Sequence, residues 1–524
     1  MKKNVLCFYL LLLPFFLCSS NHARAQQGTV KRPNVIFIFS DDHAYQSVSA
    51  YGSKLVQTPN IDRIAKSGAI FRNTFITNAI CGPSRACLLT GKYSHVNGYM
   101  VNSGKFDIDQ EVFPQLLQEG GYQTAWIGKM HLGDIPYGFD YLNILPGQGQ
   151  YYNPDFVNRQ RDTTRIQGYV TDIITGLSLN WLKNRDSSKP FFLVVGEKAT
   201  HREWLPALED LGIYDSVDFP LPETFYDDYK GRFAATNQDM TIDKTMRLKE
   251  DLKVHTDYVA SGIYNRFTPE QKKIFYDYYE NKISKSFDEQ HLTGDALLQW
   301  KYQRYMKDYL ATAHGLDRNI GKILDYVDQS GLAENTIVIY AADQGFYLGE
   351  HGWFDKRFMY EESLRTAFVM RYPGVIKPGT VFDQFVLGID WAPTILDIAG
   401  IRPPSAIQGT SMLPLLKNNS KKIVPWRNQM YYHYYEFPQP HHVYPHFGIR
   451  TTRYKLIRFY GGADAWELYD LEQDPRELHN IYADKKNMKI VSSLKASLQK
   501  LIVQFKDDEA LQVFGTPVKE SNHF

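Results

Sequence analysis

The sequence predicts an α/β protein: a large, mostly parallel sheet flanked by helices, then a smaller C-terminal antiparallel sheet with one helix. Three observations predict it. Four short, continuous β-branched and aromatic runs are separated by helical stretches, the pattern of parallel strands buried on both faces. Each run ends in charged or imidazole-bearing residues, at the strand ends where open α/β sheets bind ligands. After about residue 426 the character changes to aromatic segments punctuated by turns.

The first run, residues 34–39, leads into Ser40-Asp41-Asp42-His43. The second, 123–127, leads into Gly128-Lys129-Met130-His131. The third, 191–195, leads into the segment from Gly196 to His201, and the fourth, 336–340, into Ala341-Ala342-Asp343-Gln344. Helices are expected over 60–67, 112–119 and 297 to about 327, the last feeding directly into the fourth strand. Residues 205–296, rich in Tyr, Asp, Glu and Lys, read as helical and surface-packed and carry no legible motif. Beyond Arg402-Pro403-Pro404 and the polar stretch 417–422, the segments 429–436, 447–460 and 466–471 alternate or run aromatic. They end in turns such as Gly461-Gly462 and Asp474-Pro475, and an amphipathic helix covers about 487–505. No internal repeat is visible. The expected organisation is a signal peptide (1–25), a catalytic domain (26–425) and a C-terminal α+β subdomain (426–524).

The signal peptide rests on three parts in order. Lys2 and Lys3 precede an apolar run over 5–17, and Ala23-Arg24-Ala25 offers small residues at the two positions a signal peptidase reads. The run is too short to span a bilayer, and no later stretch is long and apolar enough, so no membrane span is expected. The mature protein is expected to be exported, and in a bacterium periplasmic. Cleavage after Ala25 removes three basic residues and leaves the mature chain near −2.

Composition narrows the class further. With 524 residues, 43% hydrophobic and 22% charged, the chain is too apolar for disorder. Its 59 Lys+Arg against 58 Asp+Glu exclude a strongly basic nucleic-acid binder, so no nucleic-acid partner is expected. Of four cysteines, Cys7 and Cys18 leave with the signal peptide. Cys81 and Cys87 remain in one short segment and cannot staple distant elements.

That segment, Cys81-Gly82-Pro83-Ser84-Arg85-Ala86-Cys87-Leu88-Leu89-Thr90-Gly91, is the most specific in the chain. Pro83 suits the first turn of a helix, which places Cys81 near a helix N-terminus, where free amides and the dipole favour an anion. From the residues alone this is an activated cysteine or an anion site. The spacing Cys-x-Pro-Ser-Arg followed by Leu-Thr-Gly resembles the signature of the type I, formylglycine-dependent sulfatases, and the likeness extends over most of the mature chain. It implies the alkaline-phosphatase-like sulfatase fold. It also implies that a maturation enzyme oxidises Cys81 to formylglycine, whose hydrated aldehyde attacks sulfur.

The same resemblance assigns Asp41, Asp42, Asp343 and Gln344 as divalent-metal ligands, with position 81 adding an oxygen. An all-oxygen set of this kind suits a calcium ion. Many members of the family carry Asn where Gln344 stands; the amide oxygen is retained. Lys129 and His131 match the segment that holds the sulfate and the diol, and Lys356, in Trp353-Phe354-Asp355-Lys356-Arg357, matches a second sulfate-binding lysine. With Arg85, which the resemblance also sets against the sulfuryl oxygens, these make a cationic cluster facing an acidic cage, self-repelling without an anionic substrate and a divalent ion. His201 is expected to protonate the leaving alcohol and His131 to act as base.

Two rivals are weighed. A phosphatase or phosphonate hydrolase of the same superfamily would show a Ser or Thr nucleophile and more zinc-type ligands. A non-catalytic exported glycan-binding protein would suit the 14% aromatic content but has no need of the intact cluster. Residues 354–365 resemble exported bacterial sulfatases that remove 6-O-sulfate from N-acetylglucosamine in glycosaminoglycans or mucin. The expected partner is therefore a sulfated glycan, with a uronate 2-O-sulfatase as the alternative. Asp355 and Arg357, flanking Lys356, are expected on the sugar ring; an internal Asp–Arg pair is the other reading. The loop 434–447, with His441, His442 and His446, is a candidate to close over the sugar, or a plain surface loop.

Overall fold

A computed structural model describes Met1, residues 32–417 and residues 424–518. The expected signal peptide and the end of the chain after 518 lie outside the described residues. Residues from Arg32 onward form one compact unit.

Its centre is a ten-stranded sheet. Across it run Thr380–Phe382, Ala69–Phe71, Phe368–Arg371, Thr336–Ala342, Asn34–Ser40, Phe191–Gly196, Gln123–Lys129, Tyr141–Leu145, Asp155–Asn158 and Thr163–Arg165. The four runs expected as buried strands sit side by side in the middle and are parallel. Antiparallel pairing appears only towards the margins, where Phe368–Arg371 meets Thr336–Ala342 and Asp155–Asn158 meets Tyr141–Leu145.

The strand Asn34–Ser40 shows why a continuous apolar run belongs here. Side chains alternate across a sheet. Val35, Phe37 and Phe39 face a layer that contains Leu88, Phe113, Leu117, Trp391 and Ile395. Ile36 and Ile38 face the opposite layer, with Leu316, Ile320 and Ile323 of the long helix Gly294–Gln329. Each fully buried side chain of this size contributes about 1.5–3 kcal/mol. A polar substitution on either face would therefore destabilise the centre of the molecule.

The expected C-terminal sheet is present. Gln429–Tyr434, His446–Thr451, Tyr454–Phe459 and Ala465–Asp470 form an antiparallel meander. The helix Met488–Phe505 buries Leu494, Leu498, Leu501 and Ile502 against Ile449 and Leu456.

One expectation fails. Residues 205–268 are mostly turns, with one short α-helix, Phe233–Thr236, and one 3-10 turn, Leu208–Asp210; regular helix begins at Pro269–Tyr278. Pro206, Pro220 and Pro222 remove donors and block helical φ/ψ in the residues before them. Nor is the segment superficial. Phe219, Phe225, Ile242, Met246 and Leu252 are buried against Tyr302, Tyr305 and Met306 of the long helix. The Tyr-rich helix and this irregular segment supply each other's core.

Candidate active site

The carboxyl ends of the central strands converge on one point. Asp41 and Asp42 follow Asn34–Ser40, and Asp42 takes the left-handed φ of 59°. The Asp41 amide donates to the Ala199 carbonyl at 3.0 Å and the Asp343 amide to Ser40 at 3.1 Å, which locks three strand ends together. Lys129 is the last residue of Gln123–Lys129. Gly128 before it has φ of +100°, and a Cβ there would lie 2.0 Å from the Gly196 carbonyl, so only glycine lets the two strands approach this closely.

Cys81 opens the helix Cys81–Thr90, all of whose residues are buried. Pro83 is in its first turn, and the Gly82 amide donates to Asn102 Oδ1 at 3.0 Å. Both Cys81 and Cys87 are free thiols. Cys87 points away into contacts with Thr77, Ser94 and Asn97.

Carboxylate oxygens of Asp41, Asp42 and Asp343 all lie within 4.8 Å of one another, as do ligand atoms of Asp41, Cys81 and His201. The Gln344 amide donates to Asp42 and lies 3.9 Å from the Cys81 sulfur. Two buried oxygens there, Asp41 Oδ1 and Gln344 Oε1, have no hydrogen-bond partner. Three carboxylates and two orphaned oxygens in one buried knot fit a hard divalent cation. Charge tells the same story. Burial, followed by Asp41, pushes the Asp343 carboxyl up to about 8. Burial pushes Asp42 up to about 6 against the pull of Lys356. Asp41 resists burial because Lys129, His201, Arg85 and Lys356 surround it, and it stays well below the usual carboxylate range.

The cationic cluster differs from the sequence expectation in two respects. Each cation is matched to a carboxylate: Lys129 to Asp41, Lys356 to Asp42 at 2.8 Å, and Arg85 to Asp343 at 3.0 Å. The cluster is neutralised in pairs and does not repel itself. Arg85 also departs from its expected place against the sulfate. It is wholly buried, donates to the Lys129 carbonyl at 2.9 Å and lies over the Phe39 ring, so it braces the acidic set from behind.

His201 donates from Nδ1 to the Arg202 carbonyl at 2.5 Å, leaving Nε2 3.9 Å from Asp42. Burial, then Lys129, holds its imidazole well below the usual histidine range. His131 is likewise pushed down to about 3 by burial and then Lys129, with Nδ1 buried and unpartnered. Both rings are neutral in this state.

Above the knot opens a cleft of about 640 Å³, lined by Cys81, Asp42, His201 and Lys356 at its floor and by Asp355, Arg357 and His441 on one wall. Asp355 accepts from the Lys356 amide at 2.7 Å and from Arg357 Nε at 3.2 Å, and Oδ2 is 3.2 Å from His441 Nε2. Arg357 reaches Glu436 at 2.5 Å and Tyr434 at 3.1 Å. The Asp355–Arg357 pair is thus an internal ion pair whose two members also line the cleft. Of the three loop histidines only His441 lines it. His442 is exposed, and His446 is buried in the C-terminal sheet.

Sequence reasoning missed Gln148, Lys198 and Glu436. Gln148 accepts from the Lys129 ammonium. Lys198 is buried over Tyr151, donates to the Gln148 carbonyl at 3.2 Å and is pushed down to about 8 by burial. Glu436 joins Arg357 to the Asn102 amide. The one available signal was the position of Lys198, three residues before His201. Among the described residues no helix is long and apolar enough to cross a membrane.

Comparison with known proteins fits this geometry. The family described as Sulfatase matches residues 33–401, and the one described as N-sulphoglucosamine sulphohydrolase, C-terminal, matches 349–504. An N-acetylglucosamine-6-O-sulfatase of Bacteroides thetaiotaomicron is 46% identical over 95% of this chain and 91% of its own. The N-acetylglucosamine-6-sulfatase of Homo sapiens is 27% identical over 77% of this chain and 67% of its own. A structure solved in complex with its substrate D-glucosamine-2-N,6-O-disulfate superposes with a TM-score of 0.89 at 47% identity, covering 91% of this chain and 99% of that one. The phosphonate monoester hydrolase of Agrobacterium radiobacter, at 19% identity and a TM-score of 0.67 over 90% of this chain and 96% of its own, shares the fold alone. Strand-end acids gathered at the N-terminus of the Cys81 helix and a family match over most of the chain lead to one assignment: the chain belongs to the sulfatase family.

Proposed function

We propose that this enzyme hydrolyses the 6-O-sulfate ester of N-acetylglucosamine or glucosamine in glycosaminoglycan or mucin glycans, acting after export to the periplasm. One observation carries the chemistry: ligand atoms of Asp41 and His201 lie within 4.8 Å of the Cys81 sulfur, which shares its cleft with Asp42 and Lys356. The choice of sugar is supported by the 46% identical relative and by the disulfated glucosamine in the similar complex.

Calcium, held by Asp41, Asp42, Asp343 and Gln344 with an oxygen at position 81, would supply Lewis-acid polarisation of that oxygen. Conversion of Cys81 to formylglycine would supply a hydrated aldehyde where a buried thiol now stands; burial, followed by Asp41, pushes that thiol well above its usual range and makes it a poor nucleophile. A dication would take over the carboxylates that Lys129 and Lys356 now neutralise, leaving both ammonium groups for sulfuryl oxygens. Arg85 holds Asp343 in place and opposes the burial that raises its carboxyl. His201, lining the cleft beside Asp42, would give the leaving alcohol its proton; an anionic ester in the cleft would add the negative charge that a protonated ring requires. His131, neutral and unpartnered, serves as the base as sulfate departs.

A panel of defined sulfated sugars tests the reading. Sulfate release from 6-O-sulfated N-acetylglucosamine and glucosamine, and none from a uronate 2-O-sulfated disaccharide, is expected. Turnover of the uronate alone would overturn the choice of sugar, and binding without release from any of them would overturn catalysis.

A further inference from the structure

The lining of the cleft includes an aromatic ring with no role in the chemistry. Phe437 lines the same cleft as Cys81 yet leaves 38% of its surface exposed. Large apolar side chains at the mouth of a polar cleft mark places where a ligand covers them. Tyr444 stacks behind the ring, with centroids 4.9 Å apart and planes 21° from parallel, and His442 meets it edge-on at 6.1 Å. Tyr444 thus backs one face of a ring that stays more than a third exposed.

The loop that carries the ring is anchored rather than loose. The His442 amide donates to the Pro438 carbonyl at 2.7 Å, and the Asp239 amide donates to the His441 carbonyl at 2.8 Å. His441 Nδ1 donates to the Asp239 carbonyl at 2.5 Å, and Val443 is buried in the C-terminal core. His441 and Phe437 thus belong to one braced turn. The histidine points at the Asp355 carboxylate, 3.2 Å away, and the phenylalanine, far more exposed, lines the same cleft.

From this arrangement we propose that Phe437, backed by Tyr444, is a stacking platform for the sugar that adjoins the 6-sulfated residue in a glycan chain. The platform rests on the reading of the floor as a sulfated-hexosamine site. An aromatic face offers apolar contact to the C–H face of a pyranose whatever its hydroxyl pattern, so it selects for chain length and not for sugar identity. The enzyme is therefore built to prefer an oligosaccharide over the free monosaccharide, with the gain expressed in KM.

The experiment compares 6-O-sulfated glucosamine with a tetrasaccharide bearing the same residue at its non-reducing end. The ratio of kcat/KM on tetrasaccharide to that on monosaccharide should fall about fivefold to tenfold in Phe437→Ala, the scale of one lost aromatic contact. Phe437→Trp should restore it, and the melting temperature should hold in both. An unchanged ratio, or a wild-type enzyme that does not favour the tetrasaccharide, would overturn the platform. Failure of the wild-type enzyme to release sulfate from either substrate would overturn the 6-O-sulfate reading instead. The platform would then stand or fall on whether Phe437→Ala weakens calorimetric binding of the same tetrasaccharide.

Discussion

Lys356 donates from Nζ to Asp42 Oδ2 at 2.8 Å, so the lysine expected on sulfate and the carboxylate expected on metal neutralise each other. The pair marks a site waiting for two charges. Chelated enzyme should release no sulfate and melt at a lower temperature, and added calcium should restore both. Ligand at a hundredfold excess over Kd stabilises by about 2.7 kcal/mol, enough for a clear thermal shift. Asp42→Ala should lose both the turnover and the calcium-dependent shift. Full turnover after exhaustive chelation would reject the metal.

Position 81 should carry an aldehyde when the protein is made beside a maturation enzyme. The thiol is buried, pushed well above its usual range and close to Asp41, which opposes its ionisation. Mass spectrometry of the peptide containing Ile80 should therefore find aldehyde in active enzyme. Cys81→Ser should fold and be inactive in a host that does not convert serine. Unmodified thiol in fully active enzyme would end the proposal.

Strand-end chemistry was legible because a buried parallel strand must be continuously apolar. Its first polar residues then announce the sheet's carboxyl edge, as Asp41, Lys129 and Asp343 do. Partners brought in by irregular segments were not. Gln148 lies in a stretch without periodicity and Glu436 at the last position of an expected strand segment, beyond where the strand ends at Tyr434, and their roles depend on which loop folds over which strand end. Arg85 shows a different limit. Its presence in the signature was readable, but only packing against Phe39 and the Lys129 carbonyl reveals that it faces the carboxylates and not the cleft. The 205–268 segment misled because its Tyr and charge content suits a surface helix, while Pro206, Pro220 and Pro222 interrupt its beginning and its apolar residues turn inward onto the long helix.

Acid should destabilise the protein in part through His446. It is fully buried; Nε2 accepts from the Met359 amide at 3.0 Å and Nδ1 donates to the Tyr444 carbonyl at 2.8 Å. That arrangement needs the neutral ring, and burial pushes the folded value down to about 3 from an ordinary 6.5. The folded value lies below the unfolded one, so the contribution is fully present above about pH 6.5. It is lost as pH falls towards 3, at about 1.4 kcal/mol per pH unit, because the unfolded chain takes the proton first. Denaturant unfolding of wild type and His446→Gln between pH 7.5 and 4 should give a shallower acid slope in the variant. Parallel slopes would reject the assignment.

Asp355 and Arg357 pair at 3.2 Å while both face the cleft, so their contribution to sugar binding has to be separated from their contribution to stability. Arg357 gives the cleaner test. Asp355 also accepts from the Lys356 amide, and its removal disturbs the sulfate contact directly. Arg357→Ala leaves Lys356 and Asp42 in place but strips a guanidinium from the wall. If that group donates to a ring hydroxyl, kcat/KM on 6-O-sulfated N-acetylglucosamine should fall by about 10²-fold, since a charged hydrogen bond contributes about 1.5–3 kcal/mol. A small aryl sulfate, which has no such hydroxyl, should be hydrolysed at close to the wild-type rate. The variant also strands Glu436 and Asp355, so some loss of melting temperature is expected and does not by itself decide the matter. The substrate ratio decides it. Equal losses on the sugar and on the aryl sulfate would mean that Arg357 only holds the loop, and the sugar contact would be rejected.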